Sequence, residues 1–429
     1  MRKYLWIWVG QVASTVGSAL TSFGLGVWIY QKTGSVSLFS LNLLAYAVCG
    51  LLVMPFAGVI ADRANRKWVI VLSDSGAGLI TLAAFILTVN DWLQVWHVYM
   101  LTGAGVMFST FQWPAYKAMI PQLVPKQHLG RASALSQAGE GIAELAGPLV
   151  AGSLYVSSSV GLKGILFIDF VTFLFAVVVL ILVPVTRHTR TAAIEGKPSS
   201  MRGDMKQGWQ YITQRPGLVG LLVYFVFFNF FLELVYPLAQ PLLFEIASPA
   251  AAGQVMSQMA VGMFIGVTIM GIWGGPKRRV NGILIAGMIG GASVALVGLR
   301  PSLLLITIGG FGYYALPPIA QGSSQALWQT KVAQDMQGRV FAIQSAITYS
   351  VRPLALLIAG PLADQIFEPA MQPGGLLAGS LGPIFETGPG RGIGLLITVL
   401  GVLSALVALA AYFYPRIRQV EDELPDAQS

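Results

Sequence analysis

The chain is poor in charge: of its 429 residues only 10% are Asp, Glu, Lys or Arg, against about a quarter in an ordinary soluble domain. With 55% hydrophobic residues, a soluble fold would expose apolar patches large enough to aggregate, so the solvent implied is a lipid bilayer. A single cysteine, Cys49, excludes an intramolecular disulfide, and its apolar surroundings suit inert packing. Three scattered histidines make a metal site improbable, and no HExxH, paired CxxC or Walker loop is present. No nucleophile–base pair is visible either. The composition therefore points to a protein that is not an enzyme and needs no cofactor.

What the chain has in abundance is apolar runs. A spanning helix needs about 20 predominantly apolar residues. Runs of that kind occur near 5–30, 37–60, 68–89, 95–118, 133–156 and 164–185, and again near 218–243, 252–275, 280–299, 302–329, 341–366 and 392–414. The expected fold is all-α and polytopic, with twelve transmembrane helices in two six-helix bundles. The first run is too long for a cleavable signal peptide and has no small-residue cleavage site. The domain boundaries read as 1–185 for the N-terminal bundle, 186–217 for a basic linker, 218–415 for the C-terminal bundle and 416–429 for an acidic tail. An amphipathic piece near Met205–Ile212 is expected to lie on the membrane surface. The tail, EDELPDAQS, reads as a solvated, disordered end.

Basic residues orient the helices. If both termini are cytoplasmic, all but six of the 26 Lys and Arg lie on that side. Lys32, Lys163, Arg300 and Arg391 then fall outside, while Lys117 and Arg352 are inside helices. This asymmetry explains the net charge of +8 as topology without nucleic acid, and the expected location is the inner (plasma) membrane. The halves also echo each other: GRASALSQA at 130–138 and GRVFAIQSA at 338–346 precede the fifth and eleventh helices. Repeated six-helix halves fit two bundles around a central cavity.

Between the second and third helices stands GVIADRANRKWVI. Gly58, Asp62, Arg63, Arg66 and Lys67 match G-x-x-x-D-R-x-[GN]-R-K, and the loop resembles the signature loop of the major facilitator superfamily. Gly58 permits close helix approach, Asp62 suits the positive end of a neighbouring helix, and the basic groups can bridge to carboxylates. Such contacts would gate one access state, with Arg131 and Arg339 in the repeated loops joining them. Asn65, in place of a second glycine, is a departure that left-handed backbone tolerates. The matching loop of the second half, GIWGGPKRRV, has Gly275 where the acid would fall, so an acid-mediated latch is expected to be stronger in the first half.

The fifth helix carries a second resemblance, to the G-x-x-x-G-P-x-x-G-G pattern of exporters in that superfamily. Ala143, Gly147, Pro148, Ala151 and Gly152 supply small residues, and a bend, at its positions. QLVPKQHLGRASAL, DMQGRVFAI and the basic linker resemble the drug-efflux branch with macrolide-efflux and siderophore-export proteins, over nearly the whole chain. That resemblance implies a secondary transporter exporting an amphipathic small molecule: a drug, macrolide, siderophore or peptide-like metabolite. One departure is the absence of the mid-membrane arginine that many drug–proton antiporters have in the fourth helix.

Ionisable residues inside the bilayer cost about 2.5–3.5 kcal/mol each at a helix centre on insertion scales. From the helical rise, Glu140 lies roughly 10 Å into the fifth helix, Glu144 roughly 16 Å, Arg352 roughly 18 Å into the eleventh, and Glu233 roughly 22 Å along the seventh. Glu144, Glu233 and Glu140 are candidate proton carriers, since a carboxyl in low-dielectric surroundings can exchange protons near neutrality. Glu233 has no obvious basic partner. Arg352, at the repeat position of Glu144, either modulates a carboxylate, binds an anionic substrate or forms a permanent ion pair. Asp74 reads as a shallow gate or hydrated group, and Asp169 and Asp364 as outer latch or interface groups. Polar candidates for the substrate cavity are Arg352, Gln11, Asn42, Gln112, Trp113, Asn229, Gln254, Gln258, Gln321 and Gln325. The partners implied are a small-molecule substrate, protons as coupling ion and the lipid bilayer, around a monomer. A lipid or lysolipid flippase of the same fold, and a non-transporting membrane receptor or scaffold, are the alternatives.

Overall fold

In the computed structural model the backbone is described for residues 1–184 and 201–424. Side chains at 58–59, 61–63, 201–202, 204, 335 and 349 lie outside the described set, as does the linker segment 185–200. The described residues are helical almost throughout and contain no strand. The helices are α1 (Arg2–Thr33), α2 (Val36–Arg63), α3 (Arg66–Val89), α4 (Val95–Leu123), α5 (Leu129–Tyr155) and α6 (Gly161–Leu182). Then come α7 (Met201–Thr213), α8 (Pro216–Ile246), α9 (Pro249–Trp273), α10 (Arg279–Leu299), α11 (Leu303–Lys331) and α12 (Gln334–Pro361). A π-helical turn, Leu362–Phe367, leads into the short α13 (Glu368–Met371) and α14 (Ala378–Phe385). The chain closes with α15 (Arg391–Phe413), α16 (Pro415–Arg418) and α17 (Val420–Glu423).

Ten helical segments of the described residues are long and apolar enough to cross a membrane. Helices α4 and α5 have the length but are less apolar, because they carry Gln112, Lys117, Glu140 and Glu144. The outward faces of the spans are apolar: Leu52, Met54, Leu182 and, at 84% exposure, Ile272 present bare hydrocarbon, as lipid requires.

Contacts divide the chain into two units, Met1–Thr191 with Ile246–Ser257, and Ala192–Glu245 with Gln258–Ser429. In the first, α1 packs on α5 and α6, α3 on α4 and α6, and α2 on α4. In the second, α10 packs between α11 and α15, and α7 lies along α12. Close approach of α10 and α15 depends on small residues: a Cβ on Gly291 would stand 2.5 Å from the backbone N of Ala405.

Local sequence sets the helix ends. Ser35 caps α2 by accepting the N–H of Leu38 at 3.2 Å. Asn65 is extended, with φ −71°, and caps α3 by accepting the N–H of Lys67 at 3.1 Å. Asn65 is therefore not a left-handed substitute for glycine; it is there because Asn ranks among the best N-caps. The α9–α10 turn does need left-handed backbone, with φ +73° at Gly274 and +85° at Gly275.

The acidic tail departs most from its expected disorder. Glu421 accepts the backbone N–H groups of Arg279 (3.0 Å) and Val280 (2.9 Å), capping the otherwise open N-terminus of α10. Lys331 donates to the carbonyls of Glu421 (2.7 Å) and Leu424 (2.6 Å), and Asp422 pairs with Arg278 at 3.1 Å. Ile417 and Val420 are buried in the same hydrophobic cluster as Leu218, Val280 and Trp328. Residues 415–424 are thus part of the second unit, while 425–429 lie outside the described residues. Arg391, expected in an outer loop, is likewise buried at 3% exposure at the start of α15, beside Glu368, which accepts the N–H groups of Gly390 and Ile393.

Candidate functional site

Three helices of the second unit enclose most of a cavity of about 360 Å³. Helix α8 contributes Phe225, Phe228, Asn229 and Leu232; α11 contributes Tyr313, Pro317, Gln321, Ser324, Gln325 and Trp328; α12 contributes Phe341, Gln344, Ser345 and Thr348. Each set recurs at three- or four-residue spacing, so one face of each helix turns to the same space. Among the described residues no Asp, Glu, Lys or Arg lines it. The Nε1 of Trp328 and Oγ1 of Thr348 are buried there without a hydrogen-bond partner. Asn229 turns its Nδ2 to the carbonyl of Phe225 (2.8 Å).

One turn past Asn229 and Thr348 stand Glu233 and Arg352, with Arg352 Nε 3.4 Å from Glu233 Oε2. Glu233 therefore has a basic partner, 119 residues away in sequence, which its own segment does not reveal. The guanidinium also sits 5.5 Å from the ring centroid of Tyr236. The pair is partly open, at 37% and 21% side-chain exposure.

In the first unit a smaller pocket, about 70 Å³, is lined by Trp8, Gln11, Val12, Thr15, Gln112, Trp113, Tyr116, Ser136, Gly139 and Glu140. Gln112 donates to Gln11 at 2.6 Å and Gln11 donates to Asp74 at 2.8 Å. Asp74 is fully buried, which overturns the reading of it as a hydrated group. Asp169 is also buried, accepting from Thr81 at 3.2 Å where α6 presses it against α1 at Gly17. Asp364 is half-buried in the π-helical turn. Glu140 and Glu144 occupy the exposed face of α5, and Lys117 places its Nζ 4.6 Å from the Trp113 ring centroid. Glu144 makes no ion pair among the described residues. Asn42 (with its Oδ1 buried and unpartnered), Gln254 and Gln258 line neither cavity.

The gate residues divide. Gly58, Asp62 and Arg63 have side chains outside the described residues. Arg66 donates to the carbonyl of Ala118 (2.7 Å) and Lys67 to those of Ile181 (3.0 Å) and Val183 (2.9 Å). They meet backbone carbonyls at the ends of α4 and α6 rather than carboxylates, where the helix dipole favours a cation. Arg131 is exposed, and Arg339 reaches the sulfur of Met336 at 3.5 Å. In α5, Ala143, Gly147, Ala151 and Gly152 are buried, and a Cβ on Gly147 would stand 2.6 Å from that of Ala19. Pro148 lies inside the helix, and Ser257 donates to the carbonyl of Leu145 at 2.5 Å.

Of the residues singled out in the sequence, Asn229, Gln321 and Gln325 line this cavity; Trp328, Gln344 and Thr348 line it as well and were not among them. Continuing the same helical spacing along α11 from Gln321 and Gln325, and back one turn from Arg352 on α12, would have reached Trp328 and Thr348.

A helical membrane protein in two units that hold cavities mixing apolar walls with amides has the build of a membrane transporter. The profile described as Major Facilitator Superfamily matches residues 7–356, and the chain belongs to that family. Macrolide efflux protein A of Streptococcus pyogenes is 28% identical over 380 residues, covering 85% of this chain and 90% of that protein. Multidrug efflux pump Tap of Mycolicibacterium fortuitum is 23% identical, covering 81% and 86%. Among solved structures, a bacterial homologue of the human lysosomal transporter Spinster superposes with TM-score 0.70 at 15% identity, covering 99% and 98% of the two chains. The nucleoside transporter NupG gives 0.68 at 12%, covering 96% and 100%. The fold is the all-α major facilitator fold, and the chain is a multi-pass membrane protein.

Proposed function

We propose that the chain exports an amphipathic small molecule by proton-coupled alternating access, as a monomer in the plasma membrane with both termini cytoplasmic. The observation that carries this reading is the second-unit cavity: aromatic walls from Phe225, Phe228, Tyr313 and Trp328, interrupted by four amides and no charge. Its volume lies within the range of small-molecule sites, and that mixture of surfaces suits a ligand with both apolar faces and hydrogen-bonding groups. Kinship with proteins named for macrolide and multidrug efflux supports the direction of transport. Two bundles, a basic linker at 186–217 and the small-residue stripe of α5 fit the same cycle.

Glu233 and Glu144 are the coupling candidates. A proton on Glu233 would cancel its attraction to Arg352, freeing α8 from α12 beside the cavity. Glu144, without an ion pair among the described residues, and Glu140 could load protons from water on the exposed face of α5. Glu233→Gln should therefore abolish gradient-driven transport while leaving substrate binding measurable.

The test is drug accumulation in a host stripped of its own efflux pumps. Cells expressing the chain should retain less ethidium or erythromycin than cells without it, and Trp328→Ala should restore retention. Equal retention for every amphipath tried, with labelled lysolipid moved between leaflets instead, would replace this reading by the flippase one. Equal retention with no lipid movement would favour a non-transporting receptor.

A further inference from the structure

We propose that Asp74, on α3, is a proton-binding site of the first unit, reached from the Glu140 pocket through the side chain of Gln11. The inference rests on the proton-coupled reading above and adds to it a group that is not among the coupling candidates Glu233, Glu144 and Glu140. The acids that hold this structure together are saturated with donors. Glu421 takes two backbone N–H groups, and Glu368 takes two backbone N–H groups and the amide of Gln372. Asp74 is a contrary case, as is Asp169, whose Oδ1 is likewise buried without a hydrogen-bond partner but which lines no pocket described above. Asp74 has no exposed surface, one neutral donor on Oδ2, and an Oδ1 with no hydrogen-bond partner. An unpaired charge buried in this way is expensive unless it is neutralised.

The neighbouring cations are engaged elsewhere. On α3 itself, Arg66 and Lys67 bind the carbonyls at the ends of α4 and α6. From α4, Lys117 lies over Trp113 and Tyr116 lines the pocket. Helix α1 presents Gln11, with Tyr4 bonded to the carbonyl of Ala132 at 2.7 Å. On α5 the acid that lines the pocket is Glu140. Helix α6 offers Asp169, bonded to Thr81 two turns farther along α3, and Lys163, which is exposed beside Asp91. Asp62 and Arg63 at the end of α2 have side chains outside the described residues. No cation is placed to make Asp74 half of a structural ion pair among the described residues.

The route is built from two amides in series. Gln112 donates to Gln11, and Gln11 donates to Asp74, so the side chain bonded to Asp74 also lines the pocket. About 70 Å³ is space for about two waters at liquid volume. Rotation of the Gln11 side chain would open the carboxyl to that water. The proton would add to the free Oδ1, turning carboxylate to acid, while Oδ2 keeps the Gln11 hydrogen bond and no other bond changes. Loss of that proton would draw water between α1 and α3, so the protonation state of Asp74 biases the packing of the helix that carries the Arg66–Lys67 loop.

Two measurements on the full-length protein test this. In detergent, infrared difference spectra between alkaline and acid conditions should contain a carboxyl band that is lost in Asp74→Asn and kept in Asp169→Asn. In proteoliposomes with an imposed pH gradient and ethidium as probe, Asp74→Asn should lose uphill accumulation yet still equilibrate ethidium downhill. Gln11→Leu keeps the carboxyl and serves if Asp74→Asn does not fold: its band should persist but respond to pH far more slowly. An unchanged band in Asp74→Asn, or unchanged band kinetics in Gln11→Leu, would overturn the proposal. Should wild-type protein show no gradient-driven ethidium movement, the coupled-transport reading fails there, and the infrared arm still decides whether Asp74 binds the proton.

Discussion

Glu421 accepts two backbone N–H groups at the open end of α10, and those groups have no intrahelical partner. Glu421→Ala should therefore lower stability by about 1–2 kcal/mol, the usual worth of an N-cap reinforced by the helix dipole. Asp422→Ala, which removes a solvent-exposed pair with Arg278, should cost less than about 1 kcal/mol. Denaturant titration of the two variants in detergent distinguishes them. The sequence could not display this contact, since Glu421 and Val280 are 141 residues apart and a charged terminal run looks the same whether docked or solvated. The partnership of Glu233 with Arg352 was hidden for the same reason. Asn65 was misread because its match to a family pattern outweighed its own capping chemistry.

At the scale of elements, helix α10 meets α15 backbone to backbone. A Cβ on Gly291 would stand 2.5 Å from the N of Ala405 and 2.7 Å from the O of Gly401, atoms that cannot move aside without shifting a helix. Gly291→Val should reduce folded yield and thermal stability sharply, whereas Gly271→Ala, with nothing within 4 Å of the added Cβ, should be neutral or slightly stabilising. Fluorescence-detected size-exclusion chromatography after heating reads both. Long apolar runs made the helices legible, because a bilayer leaves backbone groups no partners but their own. The cavity was half legible: the amides of α11 repeat at helical spacing, but its aromatic walls look like any lipid-facing stretch. The burial of Asp74 was not legible because depth along a helix can be read from sequence and rotation about its axis cannot; its side chain has no exposed surface.

For the whole molecule, the proposed cycle joins the uncharged cavity, the Glu233–Arg352 pair beside it and the buried acid in the first unit: protons would titrate carboxyls while the substrate would occupy space that contains none among the described residues. Cavity and coupling should then separate. Trp328→Ala should weaken binding of amphipathic probes without changing pH-driven conformational signals, and Glu233→Gln should do the reverse; intrinsic fluorescence quenching and a labelled cysteine reporter on the full chain measure the two. The central claim, proton-driven export, is tested most directly in everted vesicles energised by respiration, with labelled erythromycin and ethidium as probes. Uptake that collapses on adding a proton uncoupler, and that is lost in Glu233→Gln, is the predicted result; uptake indifferent to the uncoupler and to that substitution would contradict it.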